Sequence, residues 1–254
     1  MEGLKRGLSG NALKWIAIVT MLIDHIGAVI LIRLLLNYQY SPELSVYDEG
    51  YSVLYYIMTA TRTIGRLAFP IFCFLLVEGF LRTGSRQRYV IRLFIFALLS
   101  EIPFDLAFAG KLVHWGYQNV MVTLFIGMLT MWGCSVAEKQ FKEKKWILLT
   151  VCLLCSGLGM LVAHLLHTDY GAKGIIAIML LYFFRYHKLH QALGGAIGFI
   201  WEAEAMISFL FIYLYNGMRG RQMKYFFYLF YPLHLLLLYA LSYALGIHWI
   251  AVVQ

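Results

Sequence analysis

Between Leu13 and Ala244, apolar runs follow one another with only short polar breaks. This feature constrains the fold most, because a run of about 20 apolar residues is what one helix needs to cross the hydrocarbon of a bilayer. Composition agrees. Of 254 residues, 61% are hydrophobic and only 13% are charged, and mean hydropathy is +0.73. Soluble domains do not carry this balance, and no stretch is left over for a soluble domain larger than a loop. The expected fold class is all-α, a polytopic membrane helical bundle forming one integral-membrane domain over 1–254. The first run is too long for the core of a cleaved signal peptide, and no small-residue cleavage site follows it. It reads as a retained span.

Apolar windows place spans at about 13–36, 63–82, 89–108, 119–137, 146–166, 172–185, 190–201, 205–216 and 225–246. That is about nine, within a range of eight to ten, with the seventh and eighth short. The one sizeable loop, about 37–62, carries Glu43, Asp48 and Glu49 and ends in the Tyr-rich stretch YSVLYYIM. Aromatics of that kind suit the headgroup level, so an interfacial helix is expected there. Basic residues fall in alternate connections: Lys5 and Arg6, then Arg82, Arg86, Arg88 and Arg92, then Lys139, Lys142, Lys144 and Lys145, then Arg185 and Lys188, and last Arg219, Arg221 and Lys224. The opposite connections hold acids. Cytoplasmic loops carry the excess of Lys and Arg, so the N-terminus is expected in the cytoplasm. The same alternation accounts for the net charge of +8. Membrane lipid, not nucleic acid, is the partner this charge implies.

Four cysteines, Cys73, Cys134, Cys152 and Cys155, lie in or beside apolar runs. The CxxC at Cys152 and Cys155 stands alone, whereas a structural zinc needs four ligands. The pairs His164/His167 and His187/His190 have metal-binding spacing without an evident third or fourth ligand. No metal is expected.

The chemistry-bearing groups sit where lipid should be. An ionisable residue at bilayer depth costs about 2.5–3.5 kcal/mol on insertion scales and points to function. Lys14, Asp24, His25, Arg66, Glu78, Glu101, Asp105 and His234 all fall there. Lys14 and His25 are eleven residues apart, about three helical turns, so they share a face roughly 16 Å apart along the axis. An elongated phosphate-bearing ligand such as an acyl-coenzyme A fits such a track, with its charged head at Lys14 and its reactive tip at His25. Neighbouring side chains on a helix point about 100° apart, so Asp24 is expected to face an adjacent helix and pair with Arg62 or Arg66. The partner of His25 then comes from another span, with Glu78, Glu101 and Asp105 as candidates. Glu101 and Asp105 share a face one turn apart. Pro70 is expected to kink the second span. Arg219 and Arg221 lie in the inner turn YNGMRGR, close to where coenzyme phosphates would rest. Tyr231 and His234 face the same way, and His234 is either a structural partner or a second acid/base group.

The stretches ALKWIAIVTMLIDHIGAVI, RLAFPIFCFLLVEGFLRT, RYVIRLFIFALLSEIPFDLAF, NVMVTLFIGM, TDYGAKG and KYFFYLFYPLHLLLLYAL together resemble the TraX family over nearly the whole chain. That family is similar to a wider group of transmembrane acyltransferases, which includes the type 3 membrane acyltransferases and heparan-α-glucosaminide N-acetyltransferase. The resemblance implies transfer of an acetyl group from acetyl-CoA at a bacterial inner or cytoplasmic membrane. The founding member acetylates the N-terminus of a conjugative pilin. A basic residue about ten positions before a first-helix His, shared in the wider group, carries over to Lys14 and His25. Asp24, Arg66, Glu78, Glu101, Asp105, Asn119, Asp169, Tyr170 and His234 also match, without assigned roles.

These readings combine into an expected mechanism. Acetyl-CoA enters from the cytoplasm, its phosphates meeting Lys14 and basic residues among Arg66, Arg219 and Arg221. His25 acts as general base or carries the acetyl group itself, with Asp24, Glu78 and Asp105 in support. The Asn119 amide donates to the oxyanion. An unknown protein, peptide or glycan acceptor approaches from the outer side, near Glu101, Asp169, Tyr170 and His234. The rival classes are a proton-coupled transporter, which also uses buried acids and histidines, and a non-enzymatic membrane scaffold for pilus assembly. No internal two-fold repeat of the kind many transporters carry is visible.

Overall fold

The structure is a computed structural model describing residues 7–40, 49–221 and 223–252. Lys5, Arg6, Glu43 and Asp48, which entered the charge pattern above, lie outside the described residues. The helices are α1 (Gly10–His25), α2 (Ile32–Tyr40), α3 (Glu49–Gly65), α4 (Ala68–Arg82), α5 (Arg86–Ala109), α6 (Val120–Gln140), α7 (Lys145–Leu165), α8 (Gly171–Phe183), α9 (Lys188–Gly198), α10 (Ser208–Tyr213) and α11 (Lys224–Ala244). A π-helical segment, Ile26–Leu31, joins α1 to α2, and a 3₁₀ turn, Ala203–Ile207, precedes α10. Among the described residues there is no strand, only isolated bridges of Leu8 with Tyr215 and Gln118 with Thr168. The chain divides into two units. One comprises Met1–Phe69, Leu99–His114 and Tyr215–Gln254, and the other Pro70–Leu98 and Trp115–Leu214.

In the first unit, α1 begins where Ser9, in extended conformation, accepts a hydrogen bond from the Ala12 amide at 3.2 Å. Such a cap satisfies one of the orphan N–H groups of a helix start. The helix then runs through the π segment into α2. One extra residue per turn in that segment resets the faces that follow His25, and π turns recur at functional sites. Packing against α1 and the π segment are α3 and α11. The approach of α3 is close because two positions lack side chains. A Cβ on Gly65 would collide with the Asp24 side chain, and one on Gly27 with the Thr61 hydroxyl. Small residues let membrane helices approach in this way. Gly65→Val is therefore expected to destabilise the protein by about 1–3 kcal/mol through overpacking. Thermal unfolding in detergent measures it, and an unchanged melting temperature would refute so close a contact.

In the second unit α6 packs on α7 and α8, α8 on α9, and α9 on α10. Met128, Met131, Ile175, Ile178 and Leu181 are fully buried between them. At one end Glu138 accepts two hydrogen bonds from Arg185, both at 2.8 Å, and one from the Tyr182 hydroxyl. The Arg185 guanidinium also lies over the Tyr182 ring, 3.9 Å from its centroid. Leu153, Leu154, Leu158 and Leu161 of α7 are exposed, which suits a helix facing lipid, where apolar surface costs nothing.

Among the described residues, five stretches are long and apolar enough to cross a membrane: Gly10–Tyr38, Glu49–Arg82, Val120–Gln140, Lys145–Leu165 and Tyr225–Ala244. The protein is thus an all-helical membrane protein. The short spans expected at 190–201 and 205–216 correspond to α9, of 11 residues, and to the apolar stretch Ala203–Tyr213. At 1.5 Å per residue neither reaches the roughly 30 Å of a hydrocarbon core. Two expectations need correction. The second span starts earlier than residue 63, because α3 is helical from Glu49, and the Tyr-rich YSVLYYIM is part of it. Nor does Pro70 kink a helix interior. It sits in the first turn of α4, where its missing N–H is unneeded. The break lies upstream at Arg66–Leu67, where Arg66 N donates weakly to both Arg62 O and Thr63 O at 3.3 Å. A proline ring clashes with the carbonyl four residues before it, here that of Arg66.

Candidate active site

His25 ends the α-helical part of α1, and His234 sits mid-way along α11. Their rings meet, with His25 Nδ1 2.5 Å from His234 Nε2. The rings are nearly parallel, at 10°, with centroids 4.9 Å apart. That separation is about the N···N distance plus one ring radius on each side, so the hydrogen bond runs close to the plane of both rings. His234 Nδ1 lies 2.7 Å from the Phe230 carbonyl one turn earlier.

This chain of contacts settles the tautomers of the neutral pair. A carbonyl only accepts, so His234 Nδ1 carries a proton and donates it to Phe230 O. Nε2 of a neutral His234 then bears a lone pair. His25 Nδ1 must therefore be the donor between the rings, which leaves His25 Nε2 as a lone-pair nitrogen free to take a proton. His234 is only 4% exposed, whereas His25 is less deeply buried. Aromatic walls complete the setting. The Tyr231 ring lies 6.1 Å from His25 and 5.8 Å from His234, and Phe108 approaches His25 edge-on at 5.8 Å.

Asp24 turns away from this pair. Its Oδ2 accepts from Arg62 Nη1 of α3 at 2.6 Å, and both side chains are mostly buried. The Arg66 charge acts on the same carboxylate. Arg66 thus sits at the level of Asp24, about 15 Å along α1 from Lys14. Arg62 and Arg66 are the two cations expected to pair with Asp24, and both act on it.

At the start of α1 the segment 215–221 lies along the helix. Asn216 N donates to Leu8 O at 2.9 Å, Gly10 N to Met218 O at 2.8 Å, and Asn11 N to Arg219 O at 3.0 Å. These bonds bring Arg219 into the field of Lys14. The Lys14 ammonium also lies 5.2 Å from the Phe227 ring centroid. Arg221, two residues further on, is exposed. Two cations held together at the positive end of a helix make a receptive place for an anion.

Two of the acids expected to serve His25, Asp105 and Glu78, have other partners. Asp105, 2% exposed, accepts from the His114 amide at 2.7 Å and so anchors the turn after α5. Glu78 pairs with Arg82, one turn on along its own helix, at 2.7 Å. Among the described residues the hydrogen-bond partner of His25 is a second imidazole, that of His234. The packing of α11 on α1 decides this, and no spacing within either helix reveals it.

Asn119, fully buried, caps α6 by accepting from Met121 N at 2.9 Å, and its amide donates to the Ala97 carbonyl at 2.9 Å. It thereby clamps two chain segments. Asp169 accepts from the Tyr117 hydroxyl, and its amide donates to Gln118 O at 2.9 Å. Tyr170 leads into α8, its ring 6.1 Å from Trp201. Glu101 lies one turn before Asp105 on α5 and is partly buried. The rings of His187 and His190 lie 5.2 Å apart, but among the described residues no three His, Cys, Asp or Glu side chains gather as metal ligands. Sequence reasoning passed over Arg33, Phe108 and the role of Tyr231. For Arg33 a signal was present, since it is a cation within the first apolar run.

Fold and site together define a multi-helix membrane protein with a histidine pair joining its first and last long helices. The chain matches the TraX protein family over residues 9–242, and it belongs to that family. It is also similar to a probable fimbrial assembly protein FimC, serogroup H1, of Dichelobacter nodosus. The two are 28% identical over 250 residues, covering 91% of this chain and 94% of the relative. No solved structure matches the chain.

Proposed function

We propose that the protein is a membrane acetyltransferase that moves an acetyl group from cytoplasmic acetyl-CoA to an amine or hydroxyl of a pilus or fimbrial subunit. The observation that carries this reading is the His25–His234 pair, which leaves a basic Nε2 on His25 on the same helix face as Lys14. The coenzyme phosphates rest against Lys14, Arg219 and Arg221 at the cytoplasmic end of α1, and the thioester reaches His25. The acceptor N–H or O–H gives its proton to His25 Nε2 as the acceptor attacks the thioester carbonyl. The C–S bond then breaks, and the departing thiolate of CoA takes that proton back from the imidazolium. His234 holds the His25 ring in the right tautomer and orientation and shares the transient positive charge through the Nδ1–H···Nε2 bond. General-base catalysis of this kind contributes about 10²–10⁴-fold.

Membership in a family linked to pilin acetylation supports the reaction, and the name of the fimbrial relative supports the class of acceptor. The same name also supports a second reading, an assembly factor without chemistry. Detergent-purified protein separates the two. Acetyl-CoA should raise its melting temperature, and an amine-bearing peptide should then trigger release of free CoA thiol. Neither effect would be seen with a scaffold. Lys14→Ala and Arg219→Ala should each raise KM for acetyl-CoA by about tenfold or more, as expected for one charge-assisted hydrogen bond, with kcat little changed. Raising the salt concentration should shrink the difference. An unchanged KM in both variants would remove the phosphates from this end of α1.

A further inference from the structure

Arg33 lies at the start of α2, eight residues beyond His25 and just after the π segment. Its side chain is 0% exposed. Nη1 donates to the Val29 carbonyl at 2.8 Å, and Nε donates to the Ile250 carbonyl at 2.8 Å. Nη2 is buried and has no hydrogen-bond partner among the described residues, and among them no carboxylate forms an ion pair with this guanidinium. A buried cation without a counter-charge is costly, and a buried donor without an acceptor adds to the cost. The protein nevertheless keeps the group at full burial in its first span.

The geometry of the vacancy is specific. Nε and Nη2 form the side edge of the guanidinium, two parallel N–H groups matched to the two oxygens of one carboxylate or phosphate. Here that edge is half used. Its Nε meets a single neutral carbonyl, and its Nη2 is packed in the interior without a hydrogen-bond partner. The carbonyl belongs to the segment after α11, which leaves the helix at Gly246 (φ +70°) and lies back over the first unit. Besides the Arg33 bond this segment is held by Val252 N, which donates to the Phe108 carbonyl at 2.8 Å, and by the buried side chains of Ile247, Ile250 and Val252. Phe108 is the residue whose ring walls His25. The segment therefore covers both the open edge of Arg33 and one wall of the histidine site.

We propose that Arg33 is the anion-recognition residue of the acceptor subsite: its Nε/Nη2 edge takes a carboxylate or phosphate of the acceptor in place of the Ile250 carbonyl. The exchange replaces one neutral hydrogen bond by two charge-assisted ones and supplies the missing counter-charge. Eight residues of helix put the anion about 12 Å or less from His25, so the acceptor class is a nucleophile with an anionic group at that distance. This inference rests on the acyl-transfer reading of His25.

The test uses the detergent-purified full chain and three probes of one length: 8-aminooctanoate, 7-aminoheptyl phosphate and the neutral 8-aminooctanamide. In the His25→Ala background, where no turnover occurs, binding is read by calorimetry. At least one anionic probe should bind about tenfold or more tighter than the amide, and the better of the two identifies the anion. Adding Arg33→Gln should reduce that ratio to about one, while Arg33→Lys, which keeps the charge and loses the fork, should retain part of it. A cooperative thermal transition at the midpoint of the His25→Ala parent confirms that each variant is folded. Equal binding of all three probes, or an anion preference that survives Arg33→Gln, overturns the proposal. Because the readout is binding without turnover, it stands apart from the acyl-transfer reading, which fails separately if wild-type protein releases no CoA.

Discussion

His25→Ala protein, purified and folded, should transfer acetyl groups about 10²–10⁴-fold more slowly than wild type, the range over which a general base contributes. The loss belongs in kcat, because the proposed place of the coenzyme is the other end of α1, where Lys14 and the 215–221 segment meet. Variants at His234 should divide by what they offer His25 Nδ1. His234→Leu removes the acceptor at 2.5 Å and frees the His25 ring to adopt the wrong tautomer, so kcat should fall by about tenfold or more. His234→Gln can still accept through its side-chain oxygen and should recover part of that loss. Thiol release from acetyl-CoA with an amine acceptor reads all three variants. Full activity in His25→Ala would end the mechanism, and equal activity in the two His234 variants would reduce that residue to a packing group.

The second large effect concerns stability. Asp24→Ala should cost about 3–5 kcal/mol, because it strands the Arg62 cation in a mostly buried contact that Asp24 now answers at 2.6 Å. Arg62→Met alone should cost a similar amount by stranding the carboxylate. Replacing both, as Asp24→Leu with Arg62→Met, should regain most of the loss, since well-packed apolar pairs often match buried ion pairs. Denaturant titration in detergent gives the cycle. Additive losses across the double variant would show that the two groups do not sense each other. The contact ties α1 to α3 next to Gly65, so a loosened pair should also disturb the position of His25, one residue on. A fall in kcat in both single variants, partly restored in the double, would report that coupling.

Parts of this site were legible in the chain. The 3.6-residue period alone puts Lys14 and His25 on one face and turns Asp24 toward another helix, and the structure shows Asp24 with Arg62 and Lys14 near Arg219. Those relations are local, or choose among few cations on a neighbouring span. The partner of His25 was not legible. Three buried acids competed for it on sequence grounds, and the group that meets it, His234, is 209 residues away. Asn119 is half legible: its place beside a helix start fits a cap, whereas its bond to the Ala97 carbonyl shows only in the fold. Arg33 lies within the first apolar run, and only its full burial and its unpartnered Nη2 mark it out.

By itself the sequence determined an all-helical membrane protein, the faces of its first helix and the family it resembles. These follow from hydropathy and helical periodicity, which act over one or a few turns. Only the tertiary structure decided that the first and last long helices join through two imidazoles, that Glu78 and Asp105 have other partners, and that a buried arginine leaves Nη2 without a hydrogen bond. Such facts depend on which helices pack together, and that is set by side-chain contacts between residues far apart along the chain.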